Sequence, residues 1–161
     1  MVAQNNLAGS YQALGRKEEA LQMKRDVYSG WLELQGEEGE YTLTAANNYA
    51  ATLSSLRRFE EAKSLLRKTI PVARRVLGEG DSTTLRMRKC YAVWLVVSNG
   101  ATLGDLREAL TTLEDTTRTA RRVLGGAHPH VSIVEGHLRE SRAALRARET
   151  ALAASLADMR V

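Results

Sequence analysis

The residues able to do metal, nucleophilic or acid–base chemistry are few, and their spacing argues against each reaction. His128, His130 and His137 fall close together near the end of the chain. A zinc site needs three or four ligands around one point, and no plausible further ligands accompany these three. His128-Pro129 reads instead as the loop that starts a helix. Cys90 is the single cysteine. It cannot form an internal disulfide or a cysteine zinc site, and it falls on an apolar stripe as a small core residue. A lone thiol fits a reducing compartment, so a cytoplasmic location is expected. The acidic pairs Glu18-Glu19, Glu60-Glu61 and Glu114-Asp115 lie at helical positions better explained as solvated faces than as acid–base machinery. Gly78, Gly80 and Gly125-Gly126 close helices rather than follow strands, so they make no phosphate loop. No enzyme activity, cofactor or metal is expected.

The elements that position these residues are helices. The chain has 161 residues, 43% hydrophobic and 26% charged, the profile of one globular domain. Alanine, leucine, arginine and glutamate, strong helix formers, dominate. The longest purely apolar run, 91–97, is seven residues, against the roughly 20 that a membrane-spanning helix needs. The opening Met1-Val2-Ala3-Gln4-Asn5-Asn6 has neither the basic nor the apolar region of a signal peptide. Residues 1–56 carry four basic and seven acidic side chains, 57–98 ten and four, and 99–161 nine and eight. The basic middle can attract acidic partners, or it can be a solvated surface.

Internal repeats decide the fold. Asn5, Asn6, Ala8, Glu18, Glu19 and Ala20 recur 42 residues later as Asn47, Asn48, Ala50, Glu60, Glu61 and Ala62, and Ala50 recurs as Ala92. Leu34-Gln35-Gly36 matches Val76-Leu77-Gly78, and 74-RRVLG-78 returns 47 residues later as 121-RRVLG-125. The third copy is five residues longer, and the turn formers of 98–104 are the expected place for the insertion.

Each copy predicts two helices. Leu7, Ala8, Tyr11 and Leu14, then Tyr49, Ala50, Leu53 and Leu56, recur at threes and fours, which is one buried helical stripe. Short turns follow at Gly15-Arg16 and Arg57-Arg58. The second helices show Ala20, Met23 and Val27, then Ala62, Leu65, Leu66 and Ile70. Alanines at 8, 20, 50, 62 and 92 let backbones approach closely. Gly36, Gly78 and Gly125 supply the left-handed residue after a helix, and Asp81 and Thr102 can cap the helices that follow. The expected division is repeat 1 at 2–38, repeat 2 at 39–80, repeat 3 at 81–127 with an extended turn, and a capping helix at 128–161. That last helix is expected over roughly 131–159, with Leu138, Leu145, Leu152 and Met159 recurring every seven residues. Arg139 stands where a fourth repeat would need alanine. The chain opens inside a repeat with no preceding cap, which suggests a piece of a longer array or a first helix that packs on something else.

The copies resemble the tetratricopeptide repeat in its 42-residue form, as found in kinesin light chains. The resemblance rests on Asn-Asn-Leu-Ala-x-x-Tyr at 5–11, Glu-Glu-Ala at 18–20 and 60–62, and Val-Leu-Gly-x-x-His-Pro at 123–129, and covers residues 2–131. The third copy departs from it, with Asp105-Leu106-Arg107-Glu108-Ala109 at the start of its second helix. The resemblance implies an all-α, right-handed α-solenoid of antiparallel helix pairs closed by a C-terminal helix. It also implies a groove lined by the first helices, at Val2, Asn5, Gly9 and Gln12, at Thr44, Asn47, Ala51 and Ser54, and at Arg86, Lys89, Val93 and Val96. Asparagine carboxamides can hydrogen-bond an extended main chain, and Arg86 and Lys89 can pair with carboxylates. Asn5, Gln12, Asn47, Ser54, Arg86 and Lys89 are the candidate site, with Arg67 and Lys68 expected on the opposite, convex side.

These readings point to a module that binds an extended, acidic-leaning segment of another protein. The competing reading is a structural subunit that assembles through its edges or last helix, as a homo-oligomer or within a larger complex. Nucleic acid is disfavoured, because few aromatics accompany the arginines.

Overall fold

A computed structural model describes residues 2–98 and 100–158, except the side chains of residues 2–6 and 12. Among the described residues there are seven α-helices and no strand: α1 (Val2–Ala13), α2 (Lys17–Gln35), α3 (Glu40–Ser55), α4 (Phe59–Val76), α5 (Ser82–Val97), α6 (Leu103–Leu124) and α7 (Pro129–Asp158). The chain divides into two units, Met1–Tyr91 and Ala92–Val161, and the boundary falls within α5.

In the first unit α1 packs on α2, α2 on α3 and α3 on α4. Ala8, Ala20, Ala50 and Ala62 have no exposed surface, as their recurrence predicts. Leucines fill the space around them, with Leu43, Leu53, Leu66 and Leu85 at or near zero exposure. The same hydrogen bond closes the start of both α3 and α5. The Thr42 hydroxyl donates to the Trp31 carbonyl at 3.0 Å, and the Thr84 hydroxyl to the Ala73 carbonyl at 3.3 Å. Each adds a side-chain donor to a carbonyl in the last turns of the preceding helix, and that of Ala73 also accepts from the Leu77 amide at 2.9 Å. Asp81 caps α5 by accepting from the Thr83 and Thr84 amides at 2.7 and 3.2 Å.

The turns within the first two pairs are one structure made with two residue types. Arg16 N–H donates to Tyr11 O at 2.9 Å, and Arg58 N–H to Leu53 O at 3.0 Å. These six-residue closures need a left-handed residue just before the donor. Gly15 supplies it at φ 79°, and Arg57 adopts it at φ 61°. Arg57 is the single non-glycine residue with positive φ among the described residues, so the second turn carries strain that the first avoids.

In the second unit α7 packs on α6. Thr102 caps α6 in a reciprocal box with Asp105, as its position predicts. The five-residue insertion is shared between loop and helix. The α3–α4 connection has three residues, 56–58, and the α5–α6 connection has five, 98–102. The other three extend the first turn of α6, a helix of 22 residues against 18 in α4. The heptad reading of α7 holds only at its beginning. Val131, Val134, Leu138 and Ser141 are buried, Leu145 is part-buried, and Leu152 is 48% exposed. Met159 lies outside the described residues. At 30 residues against 22, and about 1.5 Å per residue, α7 outruns its partner by roughly 12 Å. Residues 146–158 are all exposed.

Two stability tests follow from these contrasts. Gly15→Ala should cost about 1 kcal/mol and Arg57→Gly should gain up to about 1 kcal/mol, because only the latter relieves a left-handed side chain. Chemical denaturation of both variants reads the opposite signs. Leu138→Ala should cost about 2–4 kcal/mol by opening a cavity, whereas Leu152→Ala should stay within about 0.5 kcal/mol. Equal losses at the two leucines would mean that the outer half of α7 is covered.

Candidate functional site

The expected groove residues within the first unit lie on one face of α3 and one face of α5. On α3, Thr44 and Ser54 are part-buried and Ala51 is exposed. Asn47 is deeper than a ligand contact requires. It is 4% exposed, and its Oδ1 is shut off from solvent with no hydrogen-bond partner. An orphaned carbonyl of this kind costs about 1–3 kcal/mol, so the buried carboxamide keeps unmet hydrogen-bonding capacity. Gly9 is exposed, and nothing stands within 4 Å of where its Cβ would be. The side chains of Val2, Asn5 and Gln12 lie outside those described.

On α5, Arg86 is exposed and Lys89 part-buried. They stand three residues apart, on one helical face. Burial pushes the Cys90 thiol pKa up, and the nearby charges of Lys89 and Arg86 pull it back only partly. A part-buried thiol shifted in this direction is less prone to form the reactive thiolate.

The basic middle of the chain looks different once its ion pairs are assigned. Arg58 pairs with Glu61 at 2.6 Å, Lys63 with Glu60 at 2.6 Å, and Arg75 with Glu38 at 2.8 Å. Glu79 bridges Arg74 at 2.5 Å and the buried Arg88 at 2.9 Å. Arg57 stands 5.9 Å from the Phe59 ring centre. Among the described residues, neither Arg86 nor Lys89 has a carboxylate partner. Half of the ten cations in 57–98 are thus paired with carboxylates, mostly close in sequence, and Arg86 and Lys89 are left together on α5 without one.

Two assignments from sequence change. Arg67 is no free surface charge, because its Nε and Nη2 donate to the Tyr91 hydroxyl at 3.1 and 3.0 Å. Lys17 on α2 and Lys68 on α4 are exposed. The second acid of the Glu18-Glu19 and Glu60-Glu61 pairs also has a role beyond a solvated face. Glu19 accepts from Arg16, and Glu61 from Arg58, at the starts of α2 and α4. These hydrogen bonds raise each arginine pKa and lower each glutamate pKa.

The structure also shows features not singled out from sequence. Trp31 and Tyr41 stack with ring centres 4.7 Å apart and planes at 21°, and Tyr28 lies 6.1 Å from Tyr49 at 22°. The available signal is that four of the eight aromatics fall between residues 28 and 49. In the second unit, Gly100, Ala101, Thr102 and Leu103 face Arg148, Ala151, Leu152 and Ser155 across an open cleft of about 450 Å³. Among the described residues no cluster of His, Cys, Asp or Glu could hold a metal ion, and no helix is long and apolar enough to cross a membrane.

The tetratricopeptide repeat family matches residues 1–75. A putative kinesin light chain from Podosopora anserina, with nearly identical TPR-like repeats, superposes at a TM-score of 0.79 and 20% identity, covering 88% of this chain and 65% of that one. A single-site variant of it gives 0.80 with the same identity and coverage. BtubC (BKLC) from P. vanneervenii gives 0.66 at 18% identity, covering 94% of this chain and 63% of that one. No curated protein gives a match. The chain thus spans slightly under two thirds of the length of these structures, and the likeness is one of fold. What these likenesses show is an all-α arrangement of helix pairs, with the tetratricopeptide repeat match confined to residues 1–75.

The Arg67–Tyr91 contact gives a direct test. Arg67→Ala should lower stability by about 1 kcal/mol through lost hydrogen bonds, and Lys68→Ala should change it by less than about 0.5 kcal/mol. Thermal melts of the two variants check this.

Proposed function

We propose that this tetratricopeptide repeat chain is a protein-binding module whose first helices receive an extended, acidic-leaning segment of a partner. Tetratricopeptide repeats are in general protein–protein interaction modules, and binding rather than catalysis is the role we assign. The observation that carries the reading is the uncommitted pair Arg86 and Lys89, on a stretch whose other cations are mostly paired. A carboxylate brought to α5 meets charge that no internal partner has neutralised. Ala51 and Ser54 leave room beside it for an extended main chain, and Asn47 offers hydrogen-bonding capacity at depth. Asn5 and Gln12 would extend the same line on α1. In this reading repeat 1 is 2–38, repeat 2 is 39–80 and repeat 3 is 81–127, with 128–161 as the cap, and the module works in the cytoplasm.

A second reading is favoured by one observation. Leu152 and Leu156 on the overhanging part of α7 are 48% and 51% exposed. A helix face of this kind suits assembly, either as a homo-oligomer or inside a larger complex.

A fluorescent peptide carrying alternating aspartates, with a charge-neutral asparagine version beside it, separates the readings. Arg86→Glu with Lys89→Glu should weaken binding of the aspartate peptide by about tenfold or more and flatten its dependence on salt. Lys17→Glu with Lys68→Glu carries the same charge change and should alter affinity by less than about threefold. Equal losses from both pairs would replace the groove by diffuse electrostatics. A concentration-dependent rise in mass on sedimentation, abolished by Leu152→Lys, would favour assembly.

A further inference from the structure

We propose that the corner joining α2 to α3 is a second docking surface, which takes a basic segment of a partner protein and lays one of its arginine or lysine side chains on the open face of Tyr41. The site rests on the Trp31–Tyr41 stack. Trp31 is part-buried and covers one face of the Tyr41 ring at 4.7 Å. Tyr41 nevertheless keeps 52% of its surface exposed. An aromatic ring held rigidly by another and left half open is an electron-rich platform for a cation.

The repeats themselves supply the control. The same corner is built three times, as 31-WLELQGEEGEY-41, 73-ARRVLGEGDST-83 and 120-ARRVLGGAHPH-130. Gly36, Gly78 and Gly125 turn all three, at φ 71°, 95° and 82°. Where the first corner has Trp31, the others have Ala73 and Ala120, both fully buried. Where it has Tyr41, they have Thr83 and His130. The bond that closes the first corner reaches the Trp31 main-chain carbonyl, as the second reaches that of Ala73, so the indole has no part in it. The corner therefore folds without the aromatic pair.

Charge separates the corners in the same way. The first has four glutamates and no cation, the second balances two arginines with two acids, and the third has two arginines and no acid. The arginine pair of the other corners, Arg74-Arg75 and Arg121-Arg122, is replaced in the first by Leu32-Glu33. Of the first corner's glutamates, Glu38 is held by Arg75 in an exposed pair at 2.8 Å. Glu37 and Glu40 are exposed and, among the described residues, form no ion pair. Burial raises the Tyr28 pKa, and the charge of Glu37 adds to that shift. A stacked aromatic platform flanked by unpaired carboxylates matches a basic segment, and it repels the acidic one proposed for α5.

The test is a two-dimensional amide NMR titration of the full chain with a Gly-Arg-Arg-Gly peptide and with the same peptide carrying uncharged citrulline. The chain has two indole N–H signals, from Trp31 and from Trp94, which is 6% exposed in the other unit. The arginine peptide should shift the Trp31 indole saturably and leave that of Trp94 in place, and the citrulline peptide should shift neither. Tyr41→Thr copies the second corner and so keeps a fold the chain already uses. It should weaken binding about tenfold, and Glu37→Gln with Glu40→Gln should weaken it several-fold. Arg86→Glu with Lys89→Glu should not weaken it, so failure here is distinguishable from failure of the groove. An unmoved Trp31 indole, wild-type affinity in Tyr41→Thr, or equal binding of the citrulline peptide would overturn the proposal. A Trp31 shift that follows protein concentration without peptide would overturn it too, by giving the corner to a second copy of the chain.

Discussion

Everything in the first unit depends on how closely its helix backbones approach. Ala8, Ala20, Ala50 and Ala62 are buried without remainder, and each marks a place where one helix lies against another with only a methyl group between. A larger side chain at such a position forces the helices apart and costs about 1–3 kcal/mol. It would also stretch contacts that have little slack. The Thr42 and Thr84 hydroxyls reach carbonyls of the preceding helix at 3.0 and 3.3 Å, and Arg67 reaches across to the Tyr91 hydroxyl from α4 to α5 at 3.0 Å. The alanines set the spacing, and the polar contacts are tuned to it.

With the spacing fixed, the repeats differ in what they do with charge. Second-helix arginines are mostly engaged. Arg16 and Arg58 each hold a glutamate one turn on, and Arg74 shares Glu79 with Arg88. The departures from this economy are local and opposite in sign. The α2–α3 corner has carboxylates to spare, and α5 has cations to spare. One unit thus holds two local excesses of charge of opposite sign, and added salt screens both.

The elements legible in the sequence are those fixed by local geometry or by repetition. Gly36, Gly78 and Gly125 mark left-handed residues because little else adopts that backbone freely, and Thr102 and Asp81 cap because a short polar side chain reaches the first amides. The Thr42–Thr84 recurrence was equally available, at the same 42-residue interval as the alanines. Other features needed the fold. The depth of Asn47 depends on how α3 is set among its neighbours. Arg67 meets Tyr91 across 24 positions, which no single repeat period reveals. The insertion is split because the first turn of α6 can absorb three residues as helix. The heptad on α7 is real as a pattern, but a pattern says which residues share a face and not how far a partner extends beneath them.

That last point bears on how the chain can change over time. Up to Ser141 the residues of α7 answer to α6, and a substitution there is read through volume and cavity. From residue 146 to 158 none is buried, and apart from the pair that Arg107 makes with Glu149 this stretch of helix rests mainly on its own hydrogen bonds and on residues such as alanine, leucine and arginine that favour them. Drift there is constrained mainly by helical propensity and solubility. Residues can be exchanged there without disturbing the packing of α7 on α6, which makes this the part of the second unit freest to diverge.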